Sequence, residues 1–351
     1  MLALLTAEQE MLKEMATQLA TDVGLTNPSD LDKVDRAKGW SSLAEAGLLA
    51  LRVRDADGTP QASGVEVMLV TQALGSRLAP LPYAASAVLA TELLALAGAP
   101  AQWIDELAEG SVRYSLLLTS DLGRLADAAD LTDAIAWDAE DAAYALALSG
   151  PADAPQVVRV ALGTTFTRVD SADLTKVLLR AGQAPAPADV EPAGQPLSSA
   201  QYDKWLALAL TIVSADMVGA MRHGMEEVVE YAKQRIQYGV PIGSFQAVQH
   251  LCAEMLVAVE GADSTVKYAA WAVDELEPAE ALLAARTAKA YTVQTARTVP
   301  ETIMQVYGGI GQTWEHIAHF INRRTLLDRE LFGDDDVQLL AIAAARLEGK
   351  N

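Results

Sequence analysis

The stretch "RIQYGVPIGSFQAVQH", residues 235–250, sets side chains suited to chemistry inside a run of plain helix formers. Arg235 carries a planar guanidinium, a charge-assisted donor matched to phosphate oxygens. Gly239 and Gly243 let backbone approach a partner closely, and Pro241 stiffens the turn between two helices. A helix opening near Phe245 and Gln246 would offer free N–H groups to an anion. A second stretch, "QVYGGIGQTWEH" at 305–316, has the same character. Gly308 and Gly309 end one helix, and a new helix is expected near Thr313. A helix–helix corner accounts for either stretch without a ligand. Both together in one helical bundle point to a phosphate-bearing ligand.

The elements that must position these groups follow from composition and pattern. The chain has 351 residues, which suits two or three domains. Hydrophobic residues make up 51% and aromatics only 5%, so the core is built of Ala, Leu and Val, the makings of packed helices. Residues 1–110 read as helices: Thr6 and Gln9 have capping-box spacing, and "GWSSLAEAGLLAL" is a short helix ending near Gly47. Residues 111–197 carry short β-type runs, "RYSLLLTS", "AAYALALSG", "QVVRVALG" and "TFTRVDS", then a Pro/Ala-rich connector at 181–197. Residues 198–351 return to helix, with long helices expected at about 198–234 and 246–275 and a third ending at Gly308. Long helices joined by short loops make an antiparallel bundle. The expected fold is mainly α, with an N-terminal helical domain, a small central β domain and a C-terminal four-helix bundle.

The rest of the sequence narrows the function. A net charge of −21 argues against nucleic acid as a partner and against adsorption to an anionic membrane. No apolar run reads as a membrane span, the N-terminus does not read as a signal peptide, and a cytoplasmic location is expected. The single cysteine, Cys252, permits no internal disulfide and reads as a buried, inert thiol. His223, His250, His316 and His319 have no metal-ligand pattern around them. His316 and His319 could share a helix face. Glu315, beside Trp314, would favour a helix N-terminus. Asp334 to Asp336 read as the cap of a last helix rather than as a metal site.

The paired stretches "RIQYGVPIGSFQAVQHLCAEM" and "QVYGGIGQTWEHIAHFINRR", with "GWSSLAEAGLLAL" and "TQALGSRLAPLPY", resemble the acyl-CoA dehydrogenase family over roughly 230 residues. The resemblance implies FAD-dependent oxidation of an acyl-CoA thioester to the 2,3-enoyl-CoA, with electrons passed on to an electron-transfer flavoprotein. It implies that Arg235, Gln237 and Tyr238, with Gln246 and the stretch from Gln305 to Gly308 and Gly309, contact FAD across a subunit interface.

The chain departs from the family where catalysis would sit. The reaction needs a carboxylate base, yet Phe332 stands where one family location has glutamate, and Ala209 and Leu210 fall at the other. Glu330 and Asp334 are the nearest acids to the first location. The T-E-P-x-x-G-S-D-like loop and W-I-T-N-like strand that hold the isoalloxazine are missing from 111–197, where "LLLTSDLGRLADAAD" stands instead. This pattern resembles one chain of the bacterial α2β2 acyl-CoA dehydrogenases of the steroid side-chain type. It implies a larger paralogous partner that carries the base. Two other readings remain open: a self-sufficient homo-oligomer using Glu330 or Asp334, and a flavin-free scaffold.

Overall fold

A computed structural model describes residues 4–183, 186–347 and 349. Five helices come first: α1 Ala7–Val23, α2 Arg36–Glu45, α3 Gly64–Ser76, α4 Thr91–Ala97 and α5 Ala101–Ala108. A wide π-type segment, Tyr83–Ala90, runs into α4. Thr6 and Gln9 close a capping box on α1, and Ser63 and Glu66 close another on α3. Each box satisfies donors that a helix start leaves free. Helix α2 stops at Gly47, whose φ of +73° suits glycine.

Seven strands follow: β1 Tyr114–Leu118, β2 Ile135–Trp137, β3 Tyr144–Ser149, β4 Gln156–Ala161, β5 Phe166–Val169, β6 Leu178–Ala181 and β7 Val190–Pro192. Their order is β5-β6-β2-β1-β3-β4-β7, and only β1 and β3 run parallel. Strand β7 lies within the stretch that reads in sequence as a bare connector. It is an edge strand, where Pro192 removes no ladder donor that the sheet needs. Two residues of that stretch, 184 and 185, lie outside the described residues.

The chain then forms α6 Ser199–Gln234, a two-residue hairpin of β8 Ile236–Gln237 and β9 Val240–Pro241, α7 Gln246–Glu275, α8 Pro278–Tyr307, α9 Ala318–Glu330 and α10 Asp335–Leu347. The three long helices fall where the sequence pattern places them. No helix opens at Thr313. A 3-10 turn, Gly308–Gln312, and a loop through Trp314 and Glu315 precede α9, so Glu315 faces no helix dipole and His316 lies off the helix that carries His319. Asp334 caps α10 by accepting from Val337 N–H at 3.1 Å.

Helix α6 is the axis of the molecule. By length and composition it could cross a membrane, contrary to the sequence expectation, but its most apolar window is 89% buried inside the protein. Burying each Leu, Val or Met there contributes roughly 1.5–3 kcal/mol. Gly219 and Gly75 allow α3 and α6 to touch, since an added Cβ at Gly219 would stand 2.2 Å from the Gln72 carbonyl oxygen.

Two buried arginines fasten the segments together. Arg52 pairs with Glu92 at 3.0 Å and with Asp274 of α7 at 2.9 Å. Arg324 of α9 reaches Asp216 of α6 at 2.8 Å, Thr175 Oγ1 at 2.5 Å and the Ala79 carbonyl at 3.3 Å. Its Nε lies 2.5 Å from Asp173 Oδ2, an ion contact whose N–H geometry falls short of a hydrogen bond. Lys176 pairs with Asp138 at 2.6 Å close by.

Candidate functional site

The two glycine-bearing stretches meet where α6 and α8 end. Arg235 caps the C-terminus of α6, its N–H bonded to the Tyr231 carbonyl at 2.8 Å. The chain turns back at once through the hairpin, whose two loop residues are Tyr238 (φ +53°) and Gly239 (φ +82°). Positive φ at both positions is the signature of the tight hairpin turn that matches strand twist. Glycine is at ease there; tyrosine is not. Across from the hairpin, α8 ends at Gly308, with φ +68°.

Arg235, Gln237 and Gly309 line one cleft of about 470 Å³ with Tyr231, Ile242, Val306, Tyr307 and Ile310. The structure thus brings together residues from both stretches. The Tyr231 and Tyr307 rings pair at 4.9 Å and form its apolar wall, and His316 packs on Tyr307 at 4.2 Å. Burial raises the Tyr307 phenol to about 12, so it stays protonated. Burial likewise lowers His316 and His319 below the ordinary histidine value. Four expected residues do not line the cleft. Tyr238 projects from the hairpin tip, 92% exposed, its ring edge-on to Phe245 at 6.2 Å. Gln246 opens α7, which no side chain caps. Gln305 and Gly308 lie exposed at the end of α8. Sequence reasoning left out Tyr231 and Tyr307. The signal for Tyr231 was present, since it precedes Arg235 by one helical turn and shares its face.

The electrostatics suit an anion. Among the described residues the Arg235 guanidinium has no hydrogen bond or ion pair, although the chain carries 47 acidic residues. Cβ atoms added at Gly308 or Gly309 would meet nothing within 4 Å, so a group can approach that backbone. The donors and the open backbone fit the diphosphate and nucleoside half of a dinucleotide such as FAD. An apolar rim surrounds the cleft: Ile236, Tyr238, Val240, Phe245, Ile310 and Trp314 are all exposed.

Conditions are opposite at the two places where a base would stand. Phe332 is buried, with φ +59°, its N–H bonded to the Leu122 carbonyl at 2.9 Å. Its ring meets Trp205 edge-on at 5.7 Å and Trp137 at 6.2 Å. Ala209 and Leu210 are fully buried on α6. These positions are occupied by buried apolar side chains, and neither expected position carries a carboxylate. Glu330 is exposed, and Asp334 is occupied by its capping bond and by Arg297 at 3.7 Å. Cys252 is half-buried rather than fully buried, and burial raises its thiol pKa.

Known proteins resemble this chain in sequence and in fold. Residues 6–111 match the family described as "Acyl-CoA dehydrogenase, N-terminal domain", and residues 206–347 match "Acyl-CoA dehydrogenase, C-terminal domain". The chain is 31% identical over 325 residues to acyl-CoA dehydrogenase IpdE2 of Mycobacterium tuberculosis, covering 90% of each protein. It is 44% identical over 117 residues to acyl-CoA dehydrogenase FadE34 of the same organism, a match that takes in 33% of this chain and 16% of that protein. In fold it is similar to a chain of the ChsE4–ChsE5 complex from Mycobacterium tuberculosis, with a TM-score of 0.83 at 23% identity over 99% of both chains.

Proposed function

The chain belongs to the acyl-CoA dehydrogenase family, and from that premise we propose that it is the non-catalytic subunit of a heteromeric, FAD-dependent acyl-CoA dehydrogenase. It completes a partner chain's flavin site across the interface and has no base of its own. The domain division 1–110, 111–197 and 198–351, a cytoplasmic location and an α2β2 assembly belong to the same proposal.

The observation that carries this reading is the contrast between the two half-sites. The outward-facing half keeps an Arg235 unpaired among the described residues, an open glycine backbone and a helix start that no side chain caps. The inward-facing half is filled by Phe332, Trp205 and Trp137. Bound flavin would supply the hydride acceptor for the 2,3-dehydrogenation. The residues of this chain would bind and orient it: Arg235 and the first N–H groups of α7 toward the diphosphate, and Gln237, Gln305 and the Gly308–Gly309 backbone alongside. Tyr231 and Tyr307 would exclude water from one side. The exposed apolar rim is the surface a partner chain would cover, and an aromatic held in left-handed backbone at its tip supports that use. A self-sufficient enzyme fits less well, because Glu330 is exposed and Asp334 caps a helix. A flavin-free scaffold leaves the unpaired Arg235 without a role. A bulky acyl-CoA of the steroid side-chain type and reoxidation by an electron-transfer flavoprotein are the substrate and electron acceptor proposed.

Flavin stoichiometry tests the assignment. The chain purified alone is expected to be colourless, and the chain co-expressed with its larger paralogue to hold one FAD per heterodimer by absorbance. A stoichiometric yellow protein from this chain alone would replace the proposal with a self-sufficient enzyme.

A further inference from the structure

Past the contact at Gly219, helices α3 and α6 part. They leave a cleft of about 420 Å³ walled also by α1 and α7. It shares no lining residue with the flavin corner. Two half-buried side chains meet in its wall: Arg77, just beyond α3, places Nη1 3.2 Å from Nε2 of His223 on α6. A guanidinium is a donor only, so Nε2 accepts and the ring is neutral. Burial first and then the charge of Arg77 push the His223 pKa down, against the smaller opposing pull of Glu227. No carboxylate pairs with Arg77 among the described residues, in a chain with 21 more acidic than basic side chains.

The acids around this cleft are largely taken. Arg222 bridges Glu260 and Asp263, Lys267 pairs with Asp263, and Gln72 donates to Asp263. Glu226, with Glu227 beyond it on α6, is exposed to water. From α1, Lys13 faces the same space with an ammonium that has no partner among the described residues. Three nitrogen groups, a guanidinium fork, an ammonium and an imidazole, therefore line the cleft, and of its lining carboxylates Glu260 and Asp263 are paired while Glu226 is exposed to water.

We propose that this cleft binds the phosphoryl group of a small phosphate monoester. Arg77 turns its fork from His223 to two phosphoryl oxygens. The freed Nε2 takes a proton from solvent and donates to a third oxygen, while Lys13 supplies further positive charge. A dianion with several acceptor oxygens suits these donors better than a carboxylate does. Binding is thereby coupled to protonation. The bound state raises the His223 pKa, so the ring's contribution is present below the pKa of the free ring and is lost as pH rises through that of the bound ring, while protonation of the phosphoryl group near pH ~6 weakens binding at the acid end.

Histidine-labelled full-length chain, with only four histidines to resolve, reports this directly by NMR. Its ring signals are titrated between about pH 5 and 8 in inorganic phosphate and in chloride of equal ionic strength. Phosphate is expected to raise the His223 midpoint by about one unit, a tenfold preference for the protonated ring. The other three histidines should not move. Arg77→Gln should abolish the effect, and His223→Asn should leave weaker phosphate binding without its pH dependence. An unmoved His223 in phosphate would overturn the proposal, and that comparison needs no variant. So would a phosphate effect that survives in Arg77→Gln. The lone chain suffices, so neither outcome depends on the flavin assignment.

Discussion

Arg324→Ala is expected to destabilise the folded chain by about 3–5 kcal/mol, read as a large drop in the midpoint of urea unfolding with an unchanged slope. The arginine is buried with Asp173, Asp216 and Thr175, and its donors tie α9 to α6, to the loop before β6 and to the Ala79 carbonyl beyond α3. Truncation removes the only arginine in that cluster and leaves Asp173 and Asp216 buried with Lys176 alone nearby. Removing one partner of a buried pair costs far more than the pair contributes, because the remaining charge has neither water nor a counter-ion. The neighbouring Asp328 is already held well above the usual carboxylate range, first by burial and then by Asp216, so the cluster has little capacity for further negative charge. Folded domains hold only about 5–15 kcal/mol in total, and much of that would be lost. Arg324→Lys keeps the charge but cannot reach Asp173, Asp216 and Thr175 at once, and is expected to fall between the wild type and alanine. An alanine variant as stable as the wild type would show that the cluster does not fasten the segments.

Phe332→Ala is the second large effect, at about 3–5 kcal/mol. The ring is wedged between Trp137 and Trp205, both buried, and Trp205 is itself fixed by its Nε1 donating to the Leu89 carbonyl at 3.0 Å. Alanine would leave a void that two tryptophans anchored on a strand and on a long helix cannot collapse into. The backbone adds a useful control. Because φ is +59° at this position, Phe332→Gly relieves left-handed strain while losing the same ring, and should be about 1 kcal/mol less damaging than alanine. Equal stability of wild type and alanine in urea would mean that this space is not closely packed. The filled inner half-site would then lose its main support.

The helices were legible because their punctuation is chemical: Thr6 with Gln9 and the glycines at 47 and 308 mark helix ends. The sequence reading of the C-terminal stretch failed at Thr313. There a positive φ at Gly308 and the following 3-10 turn redirect the chain, and no cap residue signals the delay to Ala318. Strands β2 and β7 were missed because three residues are too few to show alternation, and β6, no shorter than β5, was missed beside the Pro/Ala-rich run that follows it. Of the flavin corner, Arg235 and the glycines could be read directly, since their types carry the chemistry. Tyr231 and Tyr307 looked like core residues until folding set them side by side. Arg324 was least legible of all. With Arg323 it reads in sequence as a partner for carboxylates across an assembly or for a nucleotide, whereas its partners Asp173 and Asp216 lie within the chain, more than a hundred positions away.

The measurement that bears most directly on the central claim is flavin affinity of the co-expressed pair with Arg235→Ala introduced in this chain only. Arg235 is exposed and its guanidinium has no hydrogen bond or ion pair among the described residues, so the urea midpoint of the chain should not move. Loss of one charge-assisted hydrogen bond to a diphosphate, at roughly 1.5–3 kcal/mol, predicts about 10- to 100-fold weaker FAD retention and a matching loss of dehydrogenase activity that excess FAD restores. Unchanged flavin affinity in that variant would contradict the account, because the partner would then hold its flavin without this chain's arginine.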